Sequence, residues 1–314
     1  MFGKQLKQIR KSKNYTQRDL AIALSSKDEE FALLDLVTIS RWEREVTSPT
    51  NAKALRVLRC LTTDVRPFLC SLISDEKPDE LENFLLERFE SNFRNMTLAA
   101  FEVEVTDNET PICHSQLFHR VDDNVIHMLR RFHDRYNSER QDLFNLDLYL
   151  YQEEHRIFSV RVHPEEDSCD VIGHTIAFFF NNAELYEEAK HCDVDFRQSI
   201  RFRDTKTCAL YVATSFSSTT AVFRYQWGTF LYFLAKNANI TEVYMNVLSG
   251  QLVDFLSEVG FEIIGTKTPV DIGGVKLGAR RYERCVVRVD TSVLLTNKIS
   301  LSLIKDFLKS DCNS

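Results

Sequence analysis

Residues that break or loosen structure are scarce in this chain, with six prolines and nine glycines among 314 residues. That scarcity argues against a long disordered or low-complexity region. No stretch approaches the roughly 18 consecutive apolar residues that a membrane-crossing helix needs, so no membrane partner is expected. The eight cysteines (Cys60, Cys70, Cys113, Cys169, Cys192, Cys208, Cys285 and Cys312) include no C-x-x-C pair. The opening residues, Met1-Phe2-Gly3-Lys4-Gln5-Leu6-Lys7, lack the apolar stretch of a secretion signal. Free thiols and a cytoplasmic location are therefore the expectation. There is no Ser-His-Asp or Cys-His constellation and no nucleotide P-loop. What is present is an ordinary soluble composition, 44% hydrophobic and 27% charged, with 23 phenylalanines to build a core. The length suits two domains and a connector.

Charge is unevenly spread. The chain as a whole is −7, but residues 1–60 hold 12 Lys and Arg against 7 acids, a net +5, which leaves −12 for the remainder. Binding a polyphosphate backbone needs only a local positive face, so any nucleic-acid contact is expected in the N-terminal part.

Phe2, Leu6 and Ile9 stand at helical spacing among lysines and arginines, a basic amphipathic helix over 2–13 that Asn14-Tyr15 interrupts. Thr16 and Asp19 make a capping-box pair for a second helix, whose buried face is Leu20, Ala21 and Leu24. Asp35 is an N-cap for a third helix reaching Trp42. Thr50, after the Ser48-Pro49 turn, caps a fourth helix carrying Leu55, Leu58 and Leu61.

These four short helices resemble the Cro and phage-repressor (XRE-like) helix-turn-helix over residues 1–62. The residues carrying the resemblance are Leu6 to Arg10, Thr16 to Ala21, Thr38-Ile39-Ser40-Arg41-Trp42-Glu43, and Pro49 with Leu55 and Leu58. The resemblance implies a transcriptional regulator that lays its third helix in the major groove of double-stranded DNA, as a homodimer on an inverted repeat. Leu36, Val37, Ser40 and Arg41 then face bases. Arg41 can fork onto guanine, while Leu36 and Val37 can pack on thymine methyls. Gln17, at the start of the second helix, meets a phosphate. Arg18, Thr38 and Arg44 complete the expected DNA-binding set, and Arg10 and Glu43 match an internal ion pair. A helical bundle that binds no DNA is the plain alternative. One departure is the connection between Leu24 and Thr38, thirteen residues long and longer than the family's usual loop. It places Asp28, Glu29 and Glu30 near the DNA face, where they cost affinity unless they point away.

Residues 64–100 read as a connector, with Pro67, Pro78 and an amphipathic helix over 79–94 (Leu81, Phe84, Leu85, Phe89, Phe93) suited to an interdomain or dimer contact. Beyond it the texture changes. Strand-like runs occur at Ile157–Val162, Val171–Phe180, Ala209–Thr214, Val243–Val247 and Cys285–Val289. Helical stretches occur at 121–136, 183–191, 222–237 and 250–259, with a short tail helix through Ile299, Leu303, Ile304 and Phe307. The fold class expected is therefore multidomain, an all-α helix-turn-helix domain over 1–63 and an α+β domain over 101–314.

Within the latter, the strand Val243–Val247, the helix containing Leu252 to Glu258, the Gly260-Phe261 pair and the strand Glu262–Gly265 resemble the C-terminal half of the GNAT acyltransferase fold. By that resemblance Arg224-Tyr225-Gln226-Trp227-Gly228-Thr229 falls at a strand-to-helix junction whose backbone amides bind the pyrophosphate of coenzyme A. Arg224 and Gly228 are then the cofactor-binding candidates. Trp227 and Thr229 are bulky where that loop wants small residues, and Leu256 stands where the family carries a general-acid tyrosine. The expectation is a ligand-sensing or dimerisation module with no catalytic residue, no metal and no resident cofactor, an acyl ligand such as acyl-CoA being the candidate small molecule. The alternative is an acyl-CoA-dependent N-acyltransferase carrying a DNA-binding domain. Cys113, His114, His119, His127 and His133 match no zinc spacing.

Overall fold

Thr16 starts a helix by a reciprocal exchange. Its hydroxyl accepts from the Asp19 amide at 3.1 Å, and its own amide donates to the Asp19 carboxylate at 2.9 Å. The same local chemistry sets α3, where Asp35 accepts from the Thr38 amide at 2.6 Å, and α4, where Thr50 accepts from Lys53 at 3.3 Å. These caps give α1 (Phe2–Ser12), α2 (Gln17–Ser25), α3 (Leu36–Glu43) and α4 (Asn51–Arg59). A fifth helix, α5 (Arg66–Leu72), lies in what reads from sequence as a connector, with Pro67 in its first turn, where a missing N–H costs nothing. The computed structural model describes residues 2–73, 80, 81, 83, 84, 87, 88, 113–115, 126, 127, 129–131, 140–164, 171–202, 207–248 and 250–312. The expected amphipathic helix at 79–94 and the helix at 121–136 lie partly outside the described residues, as do Cys169, His119 and His133.

The chain divides into two compact units. The helical one takes in Met1–Asp79, Gly228–Asn239 and Thr291–Ser314. Its core is Leu6, Leu20, Leu24, Phe31, Ile39, Leu55 and Leu58, all buried. Phe2 meets Trp42 and Phe68 edge-on, at centroid distances of 5.8 and 6.3 Å. Two C-terminal helices, α10 (Thr291–Thr296) and α11 (Lys298–Cys312), belong to this unit and pack on α4 and α5. Arg59 ties the far segments in, donating to the Ala238 carbonyl at 2.9 Å and the Ser292 hydroxyl at 3.1 Å. The sequence assigned 291–314 to the α+β part; their apolar faces instead complete the helical core, with Leu294, Leu295 and Ile304 buried.

The α+β unit comprises Glu80–Trp227 and Ile240–Asp290. Seven strands run in the order β1-β2-β3-β4-β5-β9-β6: β1 (Cys113–Ser115), β2 (Ile157–His163), β3 (Gly173–Phe180), β4 (Cys208–Ser217), β5 (Ile240–Val247), β6 (Glu262–Thr266) and β9 (Cys285–Asp290). All neighbours are antiparallel except β4 and β5, which are parallel and joined by the crossover helix α8 (Thr220–Lys236). β7 (Val275–Leu277) and β8 (Arg280–Tyr282) form a separate hairpin. One sheet face carries Ile176, Phe178, Tyr211 and Tyr244 against α6 (Leu148–Glu153) and α7 (Asn182–Lys190). The other face packs Val160, Val162 and Ile172 against Val222 of α8. Fully burying an aliphatic or aromatic side chain of this kind contributes roughly 1.5–3 kcal/mol. After β5 comes α9 (Gly250–Glu258).

Cys60, Cys192, Cys208 and Cys285 are free, but Cys70 is disulfide-bonded, which corrects the expectation of free thiols throughout. Among the described residues no helix is long and apolar enough to cross a membrane.

Candidate functional sites

In the α+β unit the parallel pair opens. The β4–β5 ladder runs from Cys208↔Ile240 to Val212↔Met245 and ends there. β4 continues five residues to Ser217 and β5 two to Val247. At the same point β4 bulges. Ile176 faces Thr214 and Ala177 faces Val212, so Ala213 is an extra residue in the strand. A bulge bends its strand and disrupts the ladder locally, and here it marks where β4 turns away from β5. Beyond Val212 the β4 edge therefore has no ladder partner on the β5 side.

Helix α8 begins two residues beyond β4. The junction reads Ser217-Ser218-Thr219-Thr220-Ala221, small residues throughout, with Ser218 to Ala221 partly exposed. Thr219 accepts from the Val222 amide at 3.2 Å. The first amides of an α-helix have no intrahelical partner and carry the positive end of its dipole. Arg224 and Gly228, the sequence candidates for a phosphate loop, lie inside α8 instead. Amides there are committed to the helix and cannot wrap an anion. A Cβ on Gly228 would meet Phe307 at 2.2 Å and the Leu303 carbonyl at 2.9 Å, so this glycine serves helix packing within the helical unit. Trp227 is buried against Phe223 and Phe255. Trp227 and Thr229 likewise lie inside α8, beyond its first turn.

Gln226 holds the start of α8 to the sheet. Its amide donates to the His174 carbonyl (2.6 Å), the Thr175 hydroxyl (2.5 Å) and the Ser215 hydroxyl (3.0 Å), and its oxygen accepts from Ser217 (2.8 Å). On the opposite face His174 is fully buried, stacks on Phe216 and places Nε2 3.1 Å from the Thr214 hydroxyl. Thr214 directly follows the bulged Ala213. Across the opening, the Asn246 side-chain oxygen of β5 is buried without a hydrogen-bond partner. Leu256 is fully buried in α9 and offers no proton. Burial pushes the Cys60 thiol up to about 11 and that of Cys285 up to about 12, so neither is a ready nucleophile.

In the helical unit, α3 turns Ile39 and Trp42 into the core and leaves Leu36 and Val37 46% and 57% exposed, with Arg41 and Arg44 also outward. Thr38 and Ser40 are half-buried on the same helix, and Arg18 is exposed on α2. Glu43 is buried and receives Arg10 through Nε (2.5 Å) and Nη2 (2.9 Å), and Gln17 through Nε2 (2.9 Å). Burial works to raise the Glu43 pKa, but these donors outweigh it and hold the carboxyl below its ordinary range. The Gln17 side chain, expected to meet a phosphate, is thus engaged in the scaffold. The long α2–α3 connection is pinned. Arg56 binds Asp28 and Glu30, and Lys53 binds Glu30.

Cys113 and His114 sit on β1, where His114 Nδ1 lies 2.6 Å from the Tyr225 hydroxyl. Desolvation, with a smaller effect of His163, lowers the His114 pKa. Among the described residues no group of His, Cys, Asp or Glu is placed to hold a metal.

No family model and no curated protein matches the sequence. Solved structures do align with it. Arabidopsis thaliana NAA60 in complex with acetyl-CoA is 12% identical, with a TM-score of 0.34, over 57% of this chain and 98% of that one. The same protein in complex with a bisubstrate analogue gives 12% and 0.35, over 57% and 99%. A structure provisionally assigned as a phosphinothricin N-acetyltransferase gives 12% and 0.30, over 57% and 98%. At such scores the function has to be argued from the residues.

Proposed function

We propose that the α+β unit binds an acyl-CoA in the cleft between β4 and β5 and transfers its acyl group to an amine. The observation that carries this reading is the parting of β4 from β5 after Val212 and Met245, directly beside a small, hydroxyl-rich start of α8. The thioester arm of the cofactor fits against the unpaired β4 edge as an added strand, and the pyrophosphate meets the free amides at Thr220 and Ala221. In the transfer, the amine lone pair attacks the thioester carbon, a C–N bond forms, the C–S bond breaks and the thiolate leaves. The amine must shed a proton. His174 is the base proposed to accept it through the Thr214 hydroxyl, which takes the amine proton as it passes its own to Nε2 3.1 Å away, and the Asn246 oxygen would orient the amine N–H. Calorimetry with acetyl-CoA and longer acyl-CoAs, beside an amine-dependent thiol-release assay, tests this. Micromolar binding with steady release supports the enzyme. Binding without release reduces the unit to a ligand-sensing module, and no binding overturns the reading.

A second reading applies to the helical unit, as a helix-turn-helix that reads double-stranded DNA. The observation favouring it is the outward set of Leu36, Val37, Arg41 and Arg44 on a helix whose other face is core. Recognition of an inverted repeat would take two copies of the chain, with half-sites about one helical turn apart. In site-selection and gel-shift experiments, Arg41→Ala should lose about 1–3 kcal/mol of binding and relax one base position. Equal affinity of parent and variant for the selected site would rule out this register of α3.

A further inference from the structure

The β7–β8 hairpin leaves the sheet at the end where the β4–β5 ladder has already stopped. It interrupts the chain between β6 and β9, and Cys285, the first residue of β9, pairs with both Val247 at the end of β5 and Thr266 at the end of β6. Gly250, at the start of α9, lies against the Lys276 backbone, so the hairpin sits beside the loop that follows β5. Residues 267–284 hold five cations (Lys267, Lys276, Arg280, Arg281, Arg284) and two acids (Asp271, Glu283), in a chain whose portion after residue 60 is net −12.

The charges are arranged at odds with the hairpin's own stability. The register is Val275↔Tyr282, Lys276↔Arg281 and Leu277↔Arg280, so two cations stand directly opposite each other. Like charges in that position destabilise an antiparallel pair. Lys276, Arg280 and Arg281 are all exposed, and none is in an ion pair among the described residues. Arg281 uses one Nη1 hydrogen bond on the Gly273 carbonyl at 3.1 Å. Buried Val275 anchors one face, while Ile272, 90% exposed, projects beside the cations. Gly273, Gly274 and Gly278, all at positive φ, shape the turns that present them.

We propose that this hairpin docks an acidic polypeptide segment, one in which carboxylates flank an apolar residue. The carboxylates relieve the Lys276–Arg281 repulsion and the apolar residue covers Ile272. A nucleic acid fits less well, because the exposed Ile272 calls for an apolar group that a phosphate backbone does not offer. If the cleft transfers an acyl group, the docked chain is its acceptor. That role rests on the acyl-transfer reading; the docking surface does not.

The test is fluorescence anisotropy on the full chain with a labelled peptide alternating Glu and Leu, its Gln counterpart, and a DNA duplex as competitor. The Glu peptide should bind at least tenfold tighter than the Gln peptide and weaken as salt rises. Lys276→Glu should remove that preference while leaving the melting temperature equal or higher, because it turns a repulsive pair into an attractive one. Equal binding of the two peptides, an unaffected Lys276→Glu protein, or displacement of the peptide by the duplex would each overturn the proposal. Calorimetry of the parent with acyl-CoA reports separately on the cleft, so failure of one reading is distinguishable from failure of the other.

Discussion

Arg56 of α4 grips Asp28, 28 residues earlier in the chain, by two hydrogen bonds, Nε to Oδ2 at 2.5 Å and Nη2 to Oδ1 at 3.0 Å. This pair explains how an acidic connection is tolerated beside α3. The carboxylates of Asp28 and Glu30 are turned onto the Arg56 and Lys53 cations of α4.

Asp28→Ala should therefore lower stability modestly, by about 1 kcal/mol once the half-exposed position of Arg56 is discounted. The sign with pH follows. Burial raises the Asp28 pKa, but the hydrogen bonds from Arg56 and the Glu30 amide outweigh it and leave the folded value below the ordinary one. Its contribution is complete above the unfolded carboxylate pKa and fades as pH falls through the lower folded value. Melting curves of parent and variant should converge in acid; a constant gap down to the lowest workable pH would refute the assignment.

Gly228→Ala should destabilise the helical unit by about 1–3 kcal/mol, since the new methyl group runs into Phe307 and the Leu303 carbonyl. Phe307→Ala in the same protein should relieve only part of this, because the carbonyl remains. A melting temperature unchanged in Gly228→Ala would mean that α8 and α11 are less closely packed than described.

Gln226→Ala removes the partner of Thr175, Ser215, Ser217 and the His174 carbonyl at once. A loss of about 2 kcal/mol is expected, since the buried hydroxyls can satisfy one another only in part. Thermal unfolding followed by circular dichroism reads it directly.

Thr220→Glu separates cofactor binding from folding. An acid in the first turn of a helix favours the helix. The same carboxylate would repel a pyrophosphate, so acyl-CoA affinity should fall on the order of tenfold or more. Undiminished affinity in calorimetry would place the phosphates elsewhere.

Truncation at residue 65 isolates little. The fragment loses α5, α10, α11 and the partners of Arg59, and exposes the apolar side of α4 around Leu55, Val57 and Leu58. Such a fragment should unfold at a lower temperature or aggregate, and DNA binding is better measured on the whole chain.

Much of the helical region was legible because its signals are local. Thr16 with Asp19, Asp35 with Thr38 and Thr50 with Lys53 act across three residues, and the spacing of Leu20, Leu24 and Ile39 shows which side is buried. The main strands of the α+β unit were legible as apolar runs. The hairpin at 275–282 was not, since three-residue strands rich in Lys and Arg leave no hydrophobic pattern. Arg224 and Gly228, expected at a strand-to-helix junction, lie inside α8, where Gly228 answers to packing; the junction itself is marked only by the small residues that follow β4.

The sequence by itself determined where helices begin, which faces are apolar and where charge concentrates, because each depends on contacts within a few residues. Only the tertiary structure decided that β9 inserts between β5 and β6, that β4 parts from β5 after Val212, and that residues 228–239 and 291–314 complete the helical unit. Those arrangements arise where apolar surfaces far apart in the chain find one another. Hydrophobic periodicity shows that a surface must be covered, not which segment covers it.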